Sequence, residues 1–122
     1  MAILSATPIL SDGIARHYQW TPFAESGDVG VAINVFRHTR ITVQLHGADY
    51  TGGLTIIAEG SLLDAIPTTN SDFFPLTNGA GGAVSFTADG GMVVIENVKW
   101  IRLRATAGSG GAAANGYILA VV

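Results

Sequence analysis

At 122 residues the chain has the length of one domain, and a single core of that size buries roughly two thirds of the surface its unfolded form would expose. It contains no cysteine, which excludes a disulfide framework, a thiolate nucleophile and a cysteine-ligated metal. Charged residues make up 12% and the net charge is -3, so the clustered Lys and Arg of a nucleic-acid partner are missing, and so sparse a surface favours association.

Along the chain, residues 1 to 13 are mildly apolar, lack a basic flank and reach Pro8, Ser11 and Asp12 before an apolar run forms. They read as an irregular arm, not a targeting segment, on a protein made in the cytoplasm. No stretch reaches the 18 uncharged apolar residues of a membrane-spanning helix, so no membrane partner is expected. Arg16 to Trp20 is a weak strand candidate. Val29, Val31, Ile33 and Val35 then alternate with Gly30, Ala32, Asn34 and Phe36, and Ile41, Val43 and Leu45 with Thr42, Gln44 and His46. Leu54, Ile56 and Ala58 alternate in the same way with Thr55, Ile57 and Glu59. Period two with one apolar side marks strands with a core face and a wet face.

An irregular connection with Pro67 and Pro75 runs from Leu62 to Asn78, followed by strands over Ala83 to Ala88, Met92 to Val98, Lys99 to Thr106 and Gly116 to Val122. Thr51-Gly52-Gly53, Asn78 to Gly82, Asp89-Gly90-Gly91 and Asn115-Gly116 supply turns that tolerate positive φ. Seven to eight short strands with turns at this spacing predict an all-β fold, an antiparallel β-sandwich of jelly-roll or Ig-like type. The organisation is an arm over 1–13 and a single sandwich domain over 14–122.

Chemistry is sparse. His17, His38 and His46 fall on separate elements without metal-ligand spacing, and most carboxylates sit in turns, where they accept from backbone amides. Glu59 and Glu96 make an acid–base pair only if their strands are neighbours. Neither GxSxG nor SxxK occurs, and Gly108 to Ala113 fits a loose dinucleotide fingerprint but leads into another strand where the motif requires a helix. No catalytic residue, cofactor or metal is expected. Trp20, Trp100, Tyr50, Phe73, Phe74 and Tyr117 suit either core filling or a sugar-stacking platform, which makes a carbohydrate-binding module or host-surface adhesin the rival function. Arg102 and Arg104 share one face of their strand with Trp100, a composition that suits an exposed interface stripe as well as an ordinary solvated face.

Phe23 to Val31 (FAESGDVGV), Ile41 to Gly47 (ITVQLHG), Leu54 to Ser61 (LTIIAEGS), Phe74 to Thr77 (FPLT), Val84 to Gly90 (VSFTADG) and Trp100 to Thr106 (WIRLRAT) resemble, in order, the phage head decoration or cement proteins with a β-sandwich fold. The chain departs from them after Gly60-Ser61, where Leu62 to Pro67 replaces a short polar turn. The resemblance implies a virion protein that binds the major capsid protein on the outside of an assembled shell and stabilises it, as a homotrimer. Tail and neck proteins built on similar sandwiches are the nearby alternative. Ile3, Leu4, Pro8, Ile9 and Leu10 of the arm, with Trp100, Arg102 and Arg104, are the candidate interface.

Overall fold

The computed structural model describes residues 2–12 and 14–122, so Met1 and Gly13 of the expected arm lie outside the described residues. The described residues form twelve strands in two sheets. One sheet holds β1 (Ile3–Leu4), β4 (Val29–Gly30), β5 (Ile33–Asn34), β7 (Thr55–Ser61), β8 (Phe74–Pro75), β9 (Ser85–Phe86) and β11 (Trp100–Ala107). Its order is β1-β4-β11-β7-β8, with β5 also on β11 and β9 on β7. The other, in the order β10-β6-β12-β3-β2, comprises β10 (Gly90–Val94), β6 (Arg40–Asp49), β12 (Ser109–Val121), β3 (Ala15–Glu25) and β2 (Ala6–Ser11). Every pairing is antiparallel except β1 with β4. The all-β sandwich is therefore as expected, with more strands, from two to thirteen residues long.

The alternation that marks the strands also builds the core. Ile41, Val43 and Leu45 of β6 point inward beside Ala114, Ile118 and Ala120 of β12, and meet Ile56 and Ala58 of β7 and Ile101, Leu103 and Ala105 of β11. Trp20 and Phe23 are fully buried between the layers, and the indole Nε1 donates to the Val31 carbonyl at 2.9 Å. Two glycines make room for this packing. A Cβ on Gly30 would lie 2.6 Å from Trp20 Cδ1, and one on Gly116 would lie 2.5 Å from Leu103 Cδ1, closer than carbon atoms pack.

The segment expected as an arm folds back onto the sandwich over its described residues. β2 pairs with β3 from Ala6 opposite Trp20 to Ser11 opposite Arg16, and β1 pairs with β4. The cause is the buried Asp28 carboxylate, which accepts from the amides of Ala2 (2.8 Å), Ala24 (2.9 Å) and Glu25 (3.1 Å) and so ties the start of the chain to the turn after β3. An ionised side chain with several amide donors holds backbone more firmly than the mild hydropathy of this segment suggests. The Leu62 to Asn78 excursion is anchored to the sandwich by the buried Pro67 and Leu76, with a 3-10 turn at Asn70–Asp72 and β8 laid beside β7.

Candidate functional site

The structure places the Arg and Trp stripe of β11 under the Leu62 to Asn78 excursion. Trp100 Nε1 donates to the Leu63 carbonyl at 2.9 Å. Arg102 is 3% exposed, lies 3.8 Å from the Phe73 ring centroid, and donates to Asn70 Oδ1 at 2.7 Å. Beneath it Glu59, also 3% exposed, accepts at Oε1 from Arg102 Nε (2.7 Å) and Arg104 Nε (3.0 Å). The exposed reading of Arg102 is thus corrected. Asn70 and Phe73 of the excursion supply the cover, and a charge under cover needs a partner, which β7 provides opposite β11. Of the arm residues, Leu4 is buried while Ile3, Pro8, Ile9 and Leu10 are exposed.

Glu59 and Glu96 do not form an acid–base pair, because each is engaged elsewhere. Glu96 accepts from the Thr77 hydroxyl at 2.6 Å and the Thr77 amide at 2.9 Å. Burial pushes its pKa up, but these hydrogen bonds outweigh burial and hold the carboxyl below its ordinary value. The histidines stay apart. His38 is buried, its Nδ1 3.1 Å from the Phe36 carbonyl, and His46 pairs with Asp89 at 3.4 Å. The Gly47 amide and then the Tyr50 hydroxyl hold the Asp89 carboxyl low, whereas burial and then Asp89 itself push the Tyr50 hydroxyl up. No group of three metal-capable side chains occurs among the described residues.

What the registers do assemble is a face. Leu10, His17, Leu119, Thr42 and Val93 lie opposite one another across all five strands of the second sheet. Thr7, Gln19, Tyr117, Gln44 and Gly91 form the next row on the same outer side. None of these ten positions carries a Lys, Arg, Asp or Glu, and Leu10, Val93 and Leu119 are exposed. Gln19 Nε2 donates to the Tyr117 hydroxyl at 3.2 Å, which fixes the polar row, and a depression of about 250 Å³ opens between His17, Thr42, Gln44, Tyr117 and Leu119. The charges begin one row beyond, at Arg40 toward one end and at His46 with Asp89 toward the other. Sequence reading missed this face because its rows come from five segments whose register no local pattern reveals.

A second feature lies at the loop end of the sandwich: a cleft of about 440 Å³ between the β5–β6 turn, the start of the Leu62 to Asn78 excursion and the β10–β11 turn. Phe36, Arg37, His38, Leu62 and Lys99 are among its walls.

No known protein family matches the sequence, and no curated protein matches it. Solved structures share the architecture. The SPBc2 prophage-derived protein YomS is similar over 93% of this chain and 99% of its own, at 14% identity and a TM-score of 0.61. The PBSX exported protein XepA is similar over 93% of this chain at 17% identity and a TM-score of 0.60, the match spanning only 40% of XepA. A conserved Klebsiella pneumoniae protein with a double-stranded β-helix domain follows at 11% identity and a TM-score of 0.50, over 98% of this chain and 76% of its own. At these identities the likeness is one of fold, and the fold is a two-sheet β-sandwich shared with proteins of prophage origin.

Proposed function

We propose that the chain is a structural virion protein that binds the major capsid protein on the outside of an assembled phage shell and stabilises it. The observation that carries this reading is the fold shared with prophage-derived YomS along nearly the whole of both chains. The charge-free outer face of the five-stranded sheet supplies the attachment surface, and it replaces the Trp100 and Arg102 stripe in that role. Five strands about 4.8 Å apart and two rows about 7 Å apart give a charge-free face of roughly 340 Å², well below the roughly 800 Å² per partner of a stable interface. One copy therefore holds weakly, and a homotrimer multiplies the attachment through linked sites. Binding only the assembled lattice stabilises it by about 2.7 kcal/mol per site at a hundredfold excess over Kd.

The test is co-sedimentation of the purified chain with expanded and unexpanded shells, with native mass spectrometry for the trimer. Leu119→Lys places a charge at the centre of the face on a side chain that is already 41% exposed, so the fold is expected to stand while attachment falls. A wild-type chain that neither sediments with shells nor raises their disruption temperature overturns the proposal.

A further inference from the structure

The cleft at the loop end is independent of the attachment face, and its wall has features that packing alone does not require. Arg37 occupies a left-handed conformation with φ 71, at the turn position where glycine is the default residue. The Val35–His38 turn is closed by the His38 amide on the Val35 carbonyl at 2.9 Å, and the Asn34 side chain accepts from the Phe36 amide at 3.0 Å. A non-glycine residue held there is strained, because its Cβ crowds the following carbonyl. In return the turn carries a guanidinium. Arg37 and Lys99 both stand over the Phe36 ring, at 5.5 and 5.7 Å from its centroid, and the ring itself is 56% exposed.

Charge is gathered here against the trend of the whole chain. The protein has six cationic side chains and a net charge of -3. Arg102 and Arg104 are bound to Glu59, and Arg16 is half-buried on β3. Of the remaining three, Arg37 and Lys99 line the cleft, and Arg40, the first residue of β6, follows directly on Thr39 of the cleft wall. The one carboxylate in the cleft wall, Asp64, is fully exposed and reaches Lys99 at 3.5 Å, a contact that water screens.

His38 adds a third feature. It is 7% exposed, and its Nε2 has no hydrogen-bond partner. In the neutral ring, Nδ1–H donates to the Phe36 carbonyl, which leaves Nε2 as an acceptor in want of a donor. Thr39 and Asn97 complete the polar wall.

From an exposed aromatic, two cations of which one meets only a solvent-screened carboxylate, and neutral polar groups in one cleft of ligand size, we infer that the chain binds an acidic saccharide here. The sugar body packs beside Phe36, its carboxylate pairs with Arg37 and Lys99, and ring hydroxyls meet the polar side chains of Thr39 and Asn97. None of these residues belongs to the aromatic platform expected from the sequence, whose Trp20, Trp100 and Phe73 are engaged inside the fold.

The experiment is calorimetric titration of the full chain with oligogalacturonate, and with the neutral galactose oligomer at equal ionic strength. Saturable binding of the acidic oligomer alone is expected. Arg37→Gly removes the cation and the backbone strain together, so it is expected to weaken binding at least about tenfold while leaving the melting temperature unchanged or raised. Asp64→Asn removes the competing carboxylate and is expected to tighten binding by about two- to fivefold, and Phe36→Ala to weaken it. Equal binding of the neutral oligomer, displacement by inorganic sulfate at matched ionic strength, or indifference to Arg37→Gly would each overturn the inference. So would the absence of any binding at millimolar oligomer. Because the attachment face lies on a different surface, shell binding is expected to persist in Arg37→Gly, and the two readings fail separately.

Discussion

Replacing Glu59 by Gln tests whether the buried ion cluster holds the Leu62 to Asn78 excursion in place. The substitution keeps the shape and an amide oxygen but removes the charge that faces two arginines. Arg104 is 25% exposed, so its pairing is screened and contributes little. Arg102 is the decisive partner, because at 3% exposure it keeps the new amide oxygen, Asn70 Oδ1 and the Phe73 ring but loses the anion that Glu59 sets against it. Removing one member of a buried pair costs about 3–5 kcal/mol, most of it the penalty of an uncompensated charge. For a chain of 122 residues, an unfolding entropy of about 2.1 cal/mol/K per residue makes each kcal/mol worth about 4 °C, so Tm is expected to fall by about 12–20 °C. Urea unfolding followed by circular dichroism gives the free energy directly. The double variant Glu59→Met with Arg102→Met is expected to recover much of the loss, since it removes both charges from the buried site. A single-variant cost under about 1 kcal/mol, or a double variant worse than the sum of its parts, would refute the reasoning.

Two further outcomes follow from the same geometry. Glu96 has its pKa held down in the folded state, so the stability it contributes is present above the unfolded carboxyl value and is lost as pH falls through the folded one. Glu96→Gln is therefore expected to be less stable than wild type at pH 7 and to show a shallower loss below about pH 4, measured as urea midpoints across pH; parallel curves would contradict the assignment. Deleting Met1 to Ser11 is expected to destabilise the sandwich, because it strips β2 from β3 and removes the buried Leu4, worth about 1.5–3 kcal/mol in lost apolar burial. A truncated chain with an unchanged urea midpoint would show that this segment is an arm after all.

The fold was legible where one residue type repeats at period two. Ile41 to His46 and Leu54 to Glu59 read as strands and are strands, because a half-buried strand writes its own burial into the sequence. The N-terminal segment was not legible, because β1 and β2 are secured by Asp28, a residue distant in sequence whose amide contacts leave no local pattern. Arg102 misled for a related reason: alternation tells which side of β11 a residue is on, and β11 lies in a sheet whose outer side is covered by a loop. Phe36 read as the tail of an alternating run and Arg37 received no reading, though the chain leaves β5 for a turn there. An Asn34-x-Phe36 side-chain turn was the one available signal.

How copies of such a chain associate depends on what its sheet edges allow. An open edge invites strand addition, and the five-stranded sheet ends in β2 and β10. Both edges carry features that discourage it. β2 contains Pro8, which has no amide to donate, and a register shift between Pro8 and Leu10 that leaves Ile9 without a partner residue on β3. β10 opens on Gly90-Gly91 and has only five residues. With the N-terminal segment already paired inside its own chain, no free strand remains among the described residues to exchange with a neighbour. In the proposed assembly, contact through this sheet then runs through side chains, and the charge-free surface that the registers assemble is its outer face. A Lys at Leu119 therefore disturbs attachment without touching a strand edge, whereas a Lys at Ile9 alters the edge and leaves the face intact. Loss of shell binding in Leu119→Lys with retention in Ile9→Lys is the outcome expected of face packing; the reverse pattern would establish strand addition.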